Sequence, residues 1–311
     1  MASSPYSQLP SSATLKPTPF TAHVSDEKLK HMLDLLRLSP IAPAVFENTS
    51  QDQGQLGMSA QDRTYGTRRD WLSNAKTHWL DCFSWRAQED TINSFPQFTV
   101  PLVDDEGTSF DIHFMALFSS NPAAIPIAFY HGWPGSFLEF TKIFALLKSR
   151  YNAAELPFHV IAPSLPGYGY SSGPPADVDY NVERAAAVLN KLMMGLFPGT
   201  GYLSQGGDIG SFVARLQAAK YDACKGMHQN MCTVAREQMD MSKPMDQAEK
   251  AALARGEAFA KTGSAYMQMH GTRTATIGLV LSSSPLAMLA WIGEKFLECV
   301  VPGSVHVWRQ S

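Results

Sequence analysis

The segment Gln205-Gly206-Gly207-Asp208-Ile209-Gly210-Ser211 has the spacing small-x-nucleophile-x-small. That pattern marks a sharp turn from a strand into a helix, which lifts its central side chain above a sheet. Aspartate stands where an esterase carries serine, and the exchange sets the chemistry. A carboxylate attacks a strained or activated carbon to form an ester, whereas serine attacks acyl groups. Asp208 also suits a plainer task, capping the helix that begins beside it. A Gly-x-Asp-x-Gly pattern by itself leaves both readings open.

Around that turn the hydrophobic period alternates. Short apolar runs at 98–103, 110–118, 125–130, 159–162 and 202–204 predict strands, with a further one around 227–232. The first two flank Asp104-Asp105-Glu106-Gly107, a hairpin signal. Helical stripes occupy 137–147 and 182–196, and another, 212–220, follows Asp208. Upstream, Leu29, Met32, Leu33 and Leu36 form a helix capped by Ser25 and closed by Pro40, and Trp71, Leu72, Ala75, Trp79 and Phe83 form a second. Beyond Arg236 the strand signal vanishes and helices are predicted over 247–262, 264–270 and 285–300. Strands alternating with helices imply right-handed crossovers and an α/β fold with a mostly parallel sheet flanked by helices. Residues 1–20, rich in Ser, Pro and Thr, read as a flexible arm.

The chain has 311 residues, 45% hydrophobic and 17% charged, enough for one large α/β domain with a substantial core. A formal charge of -3 without a basic stripe argues against nucleic acid or an anionic membrane as partner, leaving small-molecule chemistry. The four cysteines, Cys82, Cys224, Cys232 and Cys299, lack metal-ligand spacing and suit a reducing cytoplasm. The most apolar window, 277–292, is interrupted by Ser282-Ser283-Ser284-Pro285 and reads as a buried helix pair rather than a membrane span.

Two further motifs bear on the site. His131-Gly132-Trp133-Pro134-Gly135-Ser136 directly follows the run 125–130, the place from which α/β sheets of this kind supply half of an oxyanion hole. The backbone N–H groups of Trp133 and Ile209 are the candidates for that hole, and Pro134 has none to offer. A rigid surface turn would use the same Pro and Gly. His131 reads as a local hydrogen-bonding residue rather than a base. In the helical tail, Tyr266 is a candidate general acid, although a tyrosine among apolar helical residues more often packs with one satisfied hydroxyl.

Taken in order, HGWPGSFLEF, PSLPGYGYSSGP, QGGDIGS, SAYMQMH and TRTATIGLVLSSSPLAMLAWIGEKF resemble the microsomal-type epoxide hydrolases and their soluble fungal relatives. The upstream WRAQEDTINSFPQFTV and FDIHF resemble the N-terminal region of that branch, so the likeness runs from about Phe20 to Val300. It implies an arm (1–20), an epoxide-hydrolase N-terminal region (21–97), an α/β-hydrolase core (98–235), a helical cap (236–300) and a divergent tail (301–311). By the same resemblance Asp208 is the nucleophile, Tyr266 one of two cap tyrosines that polarise the epoxide oxygen, and the amides of Trp133 and Ile209 the oxyanion hole. Haloalkane dehalogenases also use aspartate but follow it with a halide-binding tryptophan, where this chain has Ile209. The substrate implied is a small apolar epoxide with water, without metal or organic cofactor, in a protein that is cytoplasmic and open to homo-oligomerisation. Fungal secondary metabolism and detoxification both fit. The family's last strands, second tyrosine, acidic residue and histidine base have no counterpart in the motifs, and His306 lacks their context. The expectation is therefore a C-terminally truncated fold, its last strands missing, with impaired hydrolysis of the ester, or a catalytically inactive homologue serving as a binding protein or gene remnant.

Overall fold

The computed structural model describes residues 4–49, 65–232, 242 and 244–299; the tail 301–311, with His306, lies outside them. In chain order the elements are β1 (Thr18–Pro19), α1 (Asp26–Leu38), α2 (Arg69–Asp81), α3 (Trp85–Asn93), β2 (Gln97–Val103), β3 (Ser109–Leu117), β4 (Ile125–Tyr130), α4 (Thr141–Arg150), β5 (Phe158–Pro163), α5 (Val182–Leu196), β6 (Tyr202–Gly206), α6 (Ile209–Lys220), β7 (Cys224–Gln229), α7 (Gln247–Ala258), α8 (Ala265–Thr272), α9 (Thr274–Ser282) and α10 (Pro285–Cys299). The chain divides into two compact units, Met1–His23 with Trp85–Ala235, and Val24–Ser84 with Arg236–Ser311.

In the first unit the strands among the described residues form one sheet in the order β1-β2-β3-β5-β4-β6-β7. The expectation of a mostly parallel sheet holds for one half. β5, β4, β6 and β7 pair in parallel, whereas β1, β2, β3 and β5 pair antiparallel, so the sheet is mixed. The reason lies in the connections. Two-strand hairpins join antiparallel neighbours such as β2 and β3, and helical crossovers are needed only for the parallel pairs.

β3 reads as nearly continuous apolar sequence because both of its faces are covered. Phe110, Ile112, Phe114 and Ala116 belong to one core layer, which includes Leu189, Leu192 and Met193 of α5 and Val213 and Ala214 of α6. Met115 and Leu117 belong to the other, with Phe144 of α4 and Ile92 of α3. The period-2 alternation thus divides one strand between two helical layers. The chain crosses from β4 to β5 on one side and from β6 to β7 on the other, which makes the gap between the ends of β4 and β6 a topological switch point. Ligands of open α/β sheets bind in such a crevice.

Three sequence readings need correction. Residues 4–20 are not a flexible arm: Tyr6 is buried, its hydroxyl donates to the Tyr151 carbonyl (2.6 Å), Thr14 N–H donates to the Gly195 carbonyl (2.8 Å), and Thr18 and Pro19 pair with β2. Anchors this widely spaced leave no periodic pattern. The last strand begins at Cys224, three residues earlier than expected, because α6 ends at Lys220 and the link is only Tyr221–Ala223. The helix pair after Arg273 exists, bent by 119° at its break, but is not buried throughout: Leu279 is 74% and Val280 50% exposed. No single described helix is long and apolar enough to cross a membrane.

The second unit is helical among its described residues. Lys76 donates to the Ser39 carbonyl (2.7 Å), Thr67 donates to the Ala290 carbonyl (2.9 Å), and the Ser39 and Ser284 hydroxyls share a hydrogen bond (2.8 Å), fastening α1, α2 and α10 together.

The β2–β3 turn is held by an ion pair. Arg184 Nε donates to Asp104 Oδ2 (2.9 Å), and the N–H groups of Glu106 and Thr108 donate to Oδ1 (3.0 and 2.8 Å); the Asp104 side chain is 1% exposed. Burial pushes this carboxyl up, but Arg184 and the two turn amides outweigh it, and it ends below the ordinary carboxylate value. A depressed value means the stabilisation is complete above the unfolded-state pKa and is lost as pH falls through the folded one. Asp104→Asn should therefore cost about 1 to 3 kcal/mol at neutral pH by leaving Arg184 with only the exposed Glu106 carboxylate (3.0 Å) as counter-charge, with a deficit that shrinks below about pH 4. Urea titration of both proteins across pH checks this; an equal deficit at all pH values would show that charge is not the cause.

Candidate active site

Asp208 stands between β6 and α6 with φ 49° and ψ -121°, the only positive-φ residue other than glycine among those described. A non-glycine residue there stores on the order of 1 to 3 kcal/mol, which the surroundings must enforce. They do so by close approach. A Cβ on Gly206 would lie 1.9 Å from the Gly210 carbonyl oxygen, and one on Gly210 would lie 2.2 Å from the Tyr130 carbonyl oxygen. The end of β4, the end of β6 and the first turn of α6 therefore touch backbone to backbone, which is the physical content of the small-x-Asp-x-small spacing.

The helix-capping reading fails on geometry. The Asp208 side chain makes no cap bond to α6. Instead Oδ1 accepts the N–H of Trp133 at 2.9 Å. Gly132 lies against the same carboxyl, where a Cβ would come within 2.3 Å of Asp208 Cβ and 2.4 Å of Oδ1. Ile209 is the first residue of α6, so its N–H belongs to the helix start, which has no intrahelical acceptor. The structure thus brings Asp208 and Trp133 together, with Ile209 adjacent in sequence.

His131 explains why Trp133 is held so firmly. It is fully buried, and its Nε2 accepts the N–H of Leu165 (3.1 Å), which places the imidazole proton on Nδ1, facing the Gly132 carbonyl (3.2 Å). The Gly132–Trp133 peptide group is then anchored at both ends, carbonyl to imidazole and N–H to carboxylate, and each bond polarises the other. Burial holds the imidazole down to about 4, against the opposite pull of the Gly132 carbonyl and the Asp208 charge. It is neutral at pH 7 and both nitrogens are engaged, as the local hydrogen-bonding reading requires.

Two residues near the carboxyl carried no role in the sequence reading. Tyr168 meets His131 edge-on at 5.3 Å, and its phenol is pushed up by burial and then by the charge of Asp208. Glu139, on the short 3₁₀ turn Phe137–Phe140, is also electrostatically coupled to Asp208.

Tyr266 lies in the second unit, on α8. Its ring meets His270 edge-on (5.8 Å), Lys295 Nζ sits 4.4 Å from the ring centre, and Trp291 Nε1 donates to His270 Nε2 (3.0 Å). A cation over a phenol face is an attraction by the ring quadrupole. Among the described residues no group of three or more His, Cys, Asp or Glu is placed to hold a metal ion.

Known proteins resemble this chain over most of its length. Residues 17–140 match the epoxide hydrolase N-terminus family and residues 125–266 the α/β-hydrolase fold family. A candidate epoxide hydrolase of Dothistroma septosporum is 48% identical over 292 residues, 94% of this chain and 67% of that protein. The structure of Aspergillus niger epoxide hydrolase superposes with a TM-score of 0.84 at 46% identity, over 94% of this chain and 72% of that one. The chain belongs to the epoxide hydrolase family. Epoxide hydrolase 1 of Sus scrofa is 30% identical over 89% of the chain and 62% of its own length. The chain spans about two thirds of the length of these relatives, and its fold is that of the α/β hydrolases.

If the backbone strain at Asp208 is stored for function, a residue without Cβ should release it. Asp208→Gly should be more stable than Asp208→Ala by about 1 kcal/mol, with both lacking the carboxyl; equal denaturation midpoints would mean the turn is unstrained. In the second unit, burial first and the Lys295 charge second hold His270 below its ordinary value. Lys295→Met should raise the His270 pKa, read from the imidazole NMR shift against pH, and a value that stays put would remove Lys295 from that account.

Proposed function

We propose that this epoxide hydrolase family member opens a small apolar epoxide through a covalent ester on Asp208. The observation that carries the proposal is the Asp208 carboxyl, raised on a strained turn and bonded to Trp133 N–H where helix capping was open to it. A carboxylate is ionised at pH 7 and needs no base to attack. Oδ1 is anchored by Trp133, which leaves Oδ2 to approach the less hindered epoxide carbon. As that C–O bond forms, the epoxide C–O bond breaks, its electron pair stays on oxygen, and the oxygen takes the phenolic proton of Tyr266. The products of this half are a hydroxyalkyl ester and a tyrosinate, which regains its proton from water.

Water then adds to the ester carbonyl. The negative charge that develops falls on the oxygen beside the N–H groups of Trp133 and Ile209, and collapse returns the Asp208 carboxylate and a vicinal diol. This half requires a general base. His131, the imidazole bonded to the same loop, is unsuited because Leu165 and Gly132 occupy its two nitrogens. In this reading ester hydrolysis is the slow half, and the alkylated enzyme accumulates. The half-buried packing of Tyr266 against His270 and Lys295 gives its phenol a fixed setting for the acid role.

Incubation with styrene oxide, followed by intact-protein mass and free-diol measurement, tests both halves. The expected result is one adduct per chain, absent in Asp208→Ala, formed at least 10-fold more slowly in Tyr266→Phe, with diol appearing more slowly than adduct. An adduct of equal size in Asp208→Ala would overturn the nucleophile, and diol formed as fast as epoxide is consumed would overturn the slow second half.

A further inference from the structure

A buried ammonium stands over the tyrosine to which the first half of the reaction gives the acid role. Lys295 lies on α10, in the sequence Trp291-Ile292-Gly293-Glu294-Lys295-Phe296-Leu297, and its side chain is only 6% exposed. Taking an ammonium out of water is costly unless it finds partners of the right sign. Its partners include Glu294 Oε1, to which Nζ donates, and the face of the Tyr266 ring, whose centre lies 4.4 Å from Nζ. Glu294 is the wetter of the ion pair, 28% exposed, so solvent screens its charge more than that of Lys295.

The ring under that ammonium is held from a second direction. His270, one turn along α8, meets it edge-on at 5.8 Å, and Trp291 Nε1 donates to His270 Nε2 at 3.0 Å. An Nε2 that accepts puts the imidazole proton on Nδ1 and leaves the ring uncharged. Burial first and the Lys295 charge second favour that neutral form. Of the titratable groups gathered here, His270, Glu294 and Lys295, it is therefore Lys295 that brings positive charge to the phenol. All of them lie in the second unit with Tyr266.

The ammonium acts most strongly when the phenolic proton leaves. A neutral phenol offers Lys295 only the partial negative charge of its ring face. When Tyr266 gives its proton to the epoxide oxygen, the O–H electron pair stays on the phenolic oxygen and spreads into the ring, so that a full negative charge faces a full positive one. An opposite charge within about 4 to 6 Å favours the ionised form of an acid. An interaction that is stronger in the transition state than in the ground state lowers the barrier. We propose that Lys295 is a positioning residue for this reaction: it sets an ammonium against the Tyr266 ring and so makes the phenol a stronger acid toward the epoxide oxygen, keeping its own protons throughout. The proposal rests on the reading of Tyr266 as the acid.

The test is the saturating rate of adduct formation with styrene oxide, with its half-saturating concentration, in single variants and one double variant. Lys295→Met, which keeps a long side chain and removes the charge, should lower the saturating rate about 10-fold with half-saturation little changed. Lys295→Arg, whose charge stacks on aromatic faces, should recover most of that rate. Glu294→Gln, which removes the counter-charge and leaves the ammonium, should react at least as fast as wild type. In a Tyr266→Phe background, which has no proton to give, Lys295→Met should cost nothing further, because the two side chains act as one unit. Melting curves identify any variant that fails to fold, and Lys295→Gln then takes the place of Lys295→Met. A wild-type rate in Lys295→Met, a loss in Glu294→Gln as large as that in Lys295→Met, or the same loss from Lys295→Met with and without the Tyr266 hydroxyl would overturn the proposal. A wild-type rate in Tyr266→Phe would instead sink the acid reading on which it stands.

Discussion

Backbone contact at the switch point is the constraint from which the site follows. β4 and β6 are neighbours because their apolar residues close the layer under α5 and α6. α6 must then leave the end of β6 directly over the end of β4, and only glycine at 206 and 210 allows those segments to touch. With both flanking positions fixed, residue 208 is left with one route for the chain, at φ 49°. The strain at Asp208 is thus imposed by the core rather than by the turn's own preferences.

From that point a line of hydrogen bonds ties three strand ends together. Leu165 N–H, just past β5, donates to His131 at the end of β4; His131 faces the Gly132 carbonyl; Trp133 N–H donates to Asp208 at the end of β6. A protonated imidazole would have no acceptor for Leu165, so a neutral ring is required for the line to be continuous. Burial supplies that neutrality, holding His131 down to about 4. The histidine that a motif search would offer as a base is in fact a strut between strand termini.

How much of this was legible depended on whether a feature was local in sequence. QGGDIGS and HGWPGS are contiguous, and each states its own steric requirement, so the turn, the loop and their placement after strands could be read directly. The period of two in β2 and β3 and the period near 3.6 in α5 were equally plain. The packing of residues 4–20 was not, since Tyr6, Leu15 and Phe20 act singly, each anchored by a distant partner. α3 escaped notice because Trp85–Asn93 is short and its buried face includes a glutamate, Glu89, that accepts from Trp85 Nε1. Glu139 was hidden for a related reason: its carboxyl lies against Gly135, four residues upstream, and that glycine is its only trace in the sequence.

An aspartate at the elbow also changes what the rest of the site has to do. A serine nucleophile depends on a base for its first step, whereas a carboxylate is already ionised and depends on an acid to take up the charge released on the substrate oxygen. The two halves of the proposed reaction therefore make separate demands: an acid and an open Oδ2 for the first, a base and an oxyanion hole for the second. In that proposal the candidates for nucleophile and hole are groups of the first unit at strand ends, and the acid candidate, Tyr266, sits on a helix of the other unit. Because Trp133 N–H already holds Oδ1 in the resting carboxylate, the donor is in place before any oxyanion exists, and no loop movement is required when charge returns to that oxygen. Preorganisation of this kind carries its cost in the folded state, as the strained turn at Asp208, and not in the barrier.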